Sequence, residues 1–208
     1  MKEYTGLTGL ILTISIVVLA LCPPVANALD ATAARGYVIV TDTSTYSYGG
    51  TPPSTNGTNA TATQNALQAA IDYAYLNDKI VYFTEGTYAI KDTLKCWSEC
   101  GANDPDALNH VLIGATNGVN RPKIKLINWA SGFDSASSPK PMIEFKNFED
   151  MDASTKVEKE AQSYFHLLRG IDFDCSDDTG AVNDGAYGVY FNAAQDSSVE
   201  NVRVDATG

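Results

Sequence analysis

One stretch of helical periodicity, followed by a long series of short apolar runs with no comparable second helix, restricts this chain to few architectures. In residues 62–77, Leu67, Ala70, Ile71, Ala74 and Tyr75 recur at helical spacing and form one apolar face. Thr61 or Thr63 stands where a cap belongs, and Asn77-Asp78 ends the run. The period then changes. Strand-like runs lie at 80–83, 87–90, 111–113, 124–127, 142–145, 167–174, 188–191 and 199–204, divided by turns rich in Asn, Asp, Gly and Ser. Only 153–162 offers another short helix, on a loop.

This pattern predicts an all-β fold. A sandwich favours two-residue hairpin turns between alternating strands. Asn117-Gly118 is one such signal, but most connections are longer and irregular. A parallel β-helix needs only short strands joined by turns of variable length, with inward side chains stacking from rung to rung. The open end of such a solenoid needs a cap, and the 67–75 face is of the right size to supply it; an ordinary helix packed on a sheet is the alternative. The strand-like 198–204 run reaches Gly208 with no closing helix, so the expectation is a solenoid incomplete at its C-terminus.

The N-terminus reads as an export signal: Lys2, an uncharged apolar run at 7–21, and Ala26-Asn27-Ala28 as a small-x-small cleavage site. The run is short for a bilayer span, so a cleaved signal over 1–28 is preferred to an anchor, and to a lipoprotein site at Cys22 behind bulky Leu21. Secreted or extracytoplasmic localisation follows, without membrane attachment after cleavage. Residues 29–60 read as an extended, turn-rich lead-in with a first strand at 38–40, and 61–208 as the N-terminal part of the β-helix. Export permits disulfides. Cys96 and Cys100 flank Trp97-Ser98-Glu99 and are placed to close a small loop, which leaves Cys175 free or paired elsewhere. The cysteines and His110 match no zinc ligand frame, so no metal site is expected.

The formal net charge is −11 at pH 7. Such a chain repels nucleic acid and anionic membranes. It also disfavours anionic polymers such as pectate, unless a local basic patch or a bridging cation offsets the repulsion.

The segment Gln64-Asn65-Ala66-Leu67-Gln68-Ala69-Ala70-Ile71-Asp72, followed by Val81-Tyr82-Phe83-Thr84-Glu85-Gly86-Thr87-Tyr88-Ala89-Ile90, resembles the start of the pectate-lyase-like superfamily. There a capping helix precedes a VYFPxGTY strand; Thr84 and Glu85 stand here where the family often carries prolines. Val111-Leu112-Ile113-Gly114, Gly188-Val189-Tyr190-Phe191 and the 193–202 stretch resemble later rungs, most like those of rhamnogalacturonase and epimerase-like modules and glycoside hydrolase family 55. The resemblance covers about residues 60–208. It implies a right-handed parallel β-helix and a polysaccharide partner, handled by a glycoside hydrolase or a polysaccharide lyase. A non-catalytic β-helix for glycan binding or adhesion is the rival, because the fold carries many functions.

A hydrolase needs paired carboxylates. A lyase needs a base beside a group that stabilises the carbanion. The candidate acids are Asp172 and Asp174, which alternate along one strand and share a face, then Asp177-Asp178 and Asp184. A solvated acidic turn is the bland reading. Asp172-x-Asp174-x-Ser176 opens like a calcium loop, but Asp177 occupies the required Gly position, so no cofactor is expected and calcium is the one alternative. Of the polygalacturonase motifs only the Asp-Asp dipeptide occurs. Arg121-Pro122-Lys123, the one hint of a pectate-lyase signature, reads as a turn. His110 and His166 read as packing residues. If the chain is similar to family 55, its catalytic acid lies beyond Gly208. Among loop aromatics, which include Trp129, Tyr46, Tyr48 and Tyr187, Trp97 is the expected sugar platform, with packing under the loop as the alternative.

Overall fold

The computed structural model describes residues 36–42, 52–99, 109–115, 120–148, 155–159, 165–176, 183–193 and 196–205. The export signal at 1–28 with Cys22, the aromatics Tyr46 and Tyr48, Cys100, the Asn117-Gly118 turn, and Asp177 and Asp178 fall outside these residues.

The chain enters through β1 (Tyr37–Ile39) and α1 (Ala60–Leu76). A first rung follows: β2 (Ile80–Phe83), β3 (Thr87–Ile90) and β4 (Leu94–Glu99). The second is β5 (Val111–Gly114), β6 (Lys123–Leu126) and β7 (Lys140–Phe148), with the two-residue β8 (Glu158–Lys159) antiparallel to the end of β7. The third is β9 (Leu167–Arg169), β10 (Asp172–Asp174) and β11 (Ala186–Phe191). β12 (Ser198–Glu200) and β13 (Arg203–Asp205) belong to a fourth. Each rung gives one strand to each of three sheets: β1-β2-β5-β9-β12, β3-β6-β10-β13 and β4-β7-β11. All pairing along these sheets is parallel. This is a parallel β-helix, with crossovers of the right-handed sense that parallel connections adopt.

The core is a set of apolar rows running along the solenoid. In the first sheet Val38, Val81, Leu112 and Leu168 are in register, each at most 1% exposed. Tyr88, Ile124 and Phe173 form the row of the second sheet. Cys96, Phe145 and Phe191 form that of the third. Each fully buried Leu, Ile or Phe contributes about 1.5–3 kcal/mol, so the rows carry the stability. Val199 and Val204, which continue the first two rows in the fourth rung, are 44% and 47% exposed.

Several sequence expectations change in detail. The 167–174 and 199–204 runs are not single strands. Each is cut by a corner that carries the chain from the first sheet to the second. Gly170 (φ 71°) and Asn201 (φ 49°) supply the left-handed residue there, a conformation open to Gly and tolerated by Asn. The region around Cys96 is a strand rather than a loop, so Cys96 faces inward and Trp97 outward. The described part of 153–162 holds β8 rather than a helix. The helix begins at Ala60 after Asn59, which makes no side-chain cap. Thr63 lies inside the helix and is fully buried, where its hydroxyl accepts from the Ser54 amide and donates to the Thr58 carbonyl.

The predicted cap is present, and it is polar as well as apolar. Leu67, Ala70, Ile71 and Ala74 are buried on the solenoid end. Beside them, Gln64 Oε1 accepts from the Lys91 and Asp92 amides at 3.0 and 2.8 Å. The Gln68 amide bonds both the N–H and the C=O of Lys95, at 2.9 and 2.8 Å, and Tyr75 Oη accepts from the Glu99 amide at 3.0 Å. These side chains stand in for a strand preceding β4. β1 does the same for the first sheet, and Thr55 to Gly57 for the second, through hydrogen bonds to both backbone groups of Thr87. The lead-in thus covers edges of the first rung.

Gly114 ends β5 where a side chain has no room. A Cβ there would lie 2.2 Å from the Gly170 carbonyl oxygen and 2.6 Å from Pro122 Cγ. Gly114→Ala is expected to cost about 1–3 kcal/mol, as overpacking does. A shift of the urea midpoint to lower concentration checks this, and an unmoved midpoint would show that the corner yields.

Candidate functional site

The outer face of the second sheet carries the strongest arrangement for a linear ligand. Strand alternation turns Phe173 inward and Asp172 and Asp174 outward, as their spacing predicts. Parallel register then aligns outward residues in two rows along the solenoid axis. One row is Thr87, Lys123, Asp172 and Arg203; the other is Ala89, Lys125, Asp174 and Asp205. Successive members are one rung apart, about 4.8 Å. Two shallow clefts of about 560 and 610 Å³ lie over these rows and share Thr87 and Lys123.

Ion pairs hold the rows. Arg121 meets Asp172 at 2.8 Å, and Lys123 meets Asp174 at 3.3 Å. The Arg121 guanidinium also donates to Asn201 Oδ1 at 2.9 Å and to the Asn201 carbonyl, tying one corner to the next rung. Burial opposes ionisation of Asp174, but the Ser176 hydroxyl at 2.5 Å, its amide and the Lys123 ammonium outweigh it and hold the carboxyl below the usual range. Asp174 is therefore a carboxylate at neutral pH, suited to accept a proton and not to donate one. Around these rows Arg121, Lys123, Lys125 and Arg203 match Glu85, Asp172, Asp174 and Asp205 one for one, so the face is neutral although the chain carries −11.

The remaining candidates separate. Asp184 is an exposed turn residue after buried Asn183. Cys96 lies in the core as a thiol whose burial raises its pKa well above the ordinary value, and Cys100, its expected partner, lies outside the described residues. Cys175 is likewise free and buried. His110 and His166 are packing residues, stacked at 5.8 Å. No group of three or more His, Cys, Asp or Glu is placed to hold a metal ion among the described residues. Trp97 is half-buried. Its indole N–H donates to Glu144 at 2.9 Å, its edge meets Phe148, and Lys95 stands 4.5 Å over its ring.

Trp97 leads to a second cluster, on the outer face of the third sheet, which no sequence motif marks. Lys146 bridges Glu144 at 3.3 Å and Glu158 at 3.6 Å, while Tyr190 and Asn192 donate to Glu158. Burial disfavours the Lys146 cation, yet the two carboxylates outweigh that and raise its pKa. The signal was present as alternation: Glu144 and Lys146 interleave with inward Ile143 and Phe145. β8 closes the cluster, and its place beside β7 has no local sequence signature.

Residues 54–208 match the family model described as rhamnogalacturonase A/epimerase, pectate lyase-like. The chain belongs to that family. No curated protein and no solved structure matches it. Membership in the pectate lyase-like family places the chain among carbohydrate-active proteins and agrees with the three parallel sheets. In this pectate lyase-like solenoid the capping helix and the first VYF strand occupy the positions that the resemblance assigned them. No helix among the described residues is long and apolar enough to cross a membrane.

Proposed function

We propose that the outer face of the second sheet holds a polysaccharide along the solenoid axis, within an exported polysaccharide-degrading protein of glycoside hydrolase or polysaccharide lyase type. The observation that supports this is the pair of outward rows, in which every member but Ala89 is polar or charged and repeats at the rung spacing, close to the length of one pyranose unit. Local neutrality removes the repulsion that the net charge would exert on uronate chains. Asp172 and Asp174 are the carboxylates within reach of such a ligand, and two residues along a strand place them about 7 Å apart. Asp174 is held ionised and Asp172 is paired with Arg121, so among the described residues this face presents a candidate base and no proton donor.

That last point also favours a second reading, a non-catalytic glycan binder. One experiment addresses both. The purified chain is expected to be retarded in gels containing polygalacturonate or β-1,3-glucan and to release no measurable product from either. An Arg121→Ala/Lys123→Ala variant should lose the retardation by polygalacturonate. Turnover by the chain would overturn the view that this face lacks the acid. Absence of retardation on these and other plant and fungal polysaccharides would remove the binding proposal.

A further inference from the structure

The cleft between the capping helix and the first rung is separate from the second-sheet face. It measures about 640 Å³ and opens where Leu76, at the end of α1, is 73% exposed. Tyr75 and Trp97 supply aromatic wall, and the acids Asp72 and Glu99 and the cations Lys95 and Lys156 surround it. A volume of this size suits one or two sugar rings.

The polar groups here retain unused hydrogen-bonding capacity. Asp72 Oδ1 accepts from Gln68 at 2.8 Å, while Oδ2 has no hydrogen-bond partner among the described residues. Among the described residues the Glu99 carboxylate makes no hydrogen bond; only its backbone amide is engaged, by Tyr75. Lys95 has no ion pair among the described residues; its ammonium rests on the Trp97 ring. Desolvation at the cleft wall raises the Asp72 carboxyl above its ordinary value, against the opposing effects of Gln68 and Lys95. Asp172, Asp174 and Glu144, by contrast, are each held by a cation.

We propose that this cleft is a second glycan site, which takes a neutral pyranose unit against Trp97 with its hydroxyls donating to Asp72 and Glu99. A pyranose presents apolar C–H faces for an indole and a ring of hydroxyl donors for carboxylates. Asp72 and Glu99 stand where the hydroxyls would donate, so a uronate carboxylate set against either of them is repelled and the cleft favours neutral sugar, although Lys95 and Lys156 also line it. Lys95 leaves the indole face and takes a sugar oxygen. The inference rests on the reading of the chain as a glycan binder, but not on the second-sheet face.

The test uses the full chain carrying Trp129→Phe, which leaves Trp97 as the single tryptophan. Titration with neutral glucose and galactose hexasaccharides is expected to give a saturable change in Trp97 emission, and oligogalacturonate about tenfold weaker binding or none. Glu99→Ala lies on an exposed side chain and should weaken the neutral sugar about tenfold without moving the melting temperature, as loss of a charged hydrogen-bond acceptor does. Trp97→Ala, followed by calorimetry, should abolish binding. Arg121→Ala/Lys123→Ala should leave the Trp97 signal intact; loss of polysaccharide retardation with that signal retained would touch the second-sheet proposal alone. No saturable change with any neutral hexasaccharide, preference for the uronate, or indifference to Glu99→Ala would each overturn the cleft.

Discussion

Ile71→Asp and, separately, Leu67→Asp are each expected to lower the melting midpoint by more than about 10 °C, or to abolish cooperative unfolding altogether. Both side chains are 0% exposed and lie on the face of α1 that closes the solenoid. A carboxylate there has no cation within the apolar rows, and an unpaired buried charge costs about 3–5 kcal/mol or more. Whole-domain stability is about 5–15 kcal/mol, so the substitution removes a large part of it. The loss would spread, because Gln64, Gln68 and Tyr75 satisfy the edge backbone of the first rung only while the helix is seated. Asn65→Asp is the control, since it adds the same charge on an exposed side chain of the same helix. Circular dichroism melts of the three variants decide the matter. Equal melting of Ile71→Asp and wild type would refute the cap.

The apolar half of that cap was legible in the sequence because helical periodicity is local: Leu67, Ala70, Ile71 and Ala74 are the residues that bury. Its polar half was not. Gln64 and Gln68 look like ordinary surface residues until β4 lies beside them, some 27 positions further along the chain. The strands were legible where apolar residues cluster, as at Ile80–Phe83, and illegible where polar residues alternate with buried ones. Leu94–Glu99 was missed for that reason: Lys95, Trp97 and Glu99 point out while Leu94, Cys96 and Ser98 point in. Corners were invisible inside apolar runs, where the backbone turns at Gly170 and Asn201 without breaking hydrophobicity. The same rule governs the site. Asp172 and Asp174 share a face by strand alternation alone, so that expectation needed no tertiary information. Their partners Arg121 and Lys123 come from the preceding rung, and the intervening loops of unequal length hide the register that brings them together.

Acid is expected to destabilise the fold well above the pH at which its carboxylates titrate. Tyr75, His110 and His166 stack along the solenoid axis, 4.6 and then 5.8 Å apart. Burial is the main cause that drives the His110 pKa down to about 3 and that of His166 to about 4. Hydrogen bonds fix both as neutral tautomers. His110 Nε2 donates to the Trp97 carbonyl at 3.0 Å, and the His110 amide donates to His166 Nδ1 at 2.9 Å. A proton on that Nδ1 would set two N–H groups against each other. In the unfolded chain both rings titrate near 6.5. With the folded values depressed, the unfolded state takes up protons first, so the stabilisation is complete above about pH 6.5 and falls as the pH drops toward 4. Each histidine then costs about 1.4 kcal/mol per pH unit, together about 4 kcal/mol by pH 5, which corresponds to roughly 10 °C in the melting midpoint. Asp174 acts in a lower window: its depressed pKa supports the fold above the ordinary carboxylate value, and that support is lost as pH falls below it. His166→Asn keeps an acceptor for the His110 amide and does not titrate, so it should halve the slope of melting midpoint against pH between 6.5 and 4. A flat wild-type profile in that interval, or a slope that His166→Asn leaves unchanged, would mean that the two rings are not buried neutral in the folded solenoid.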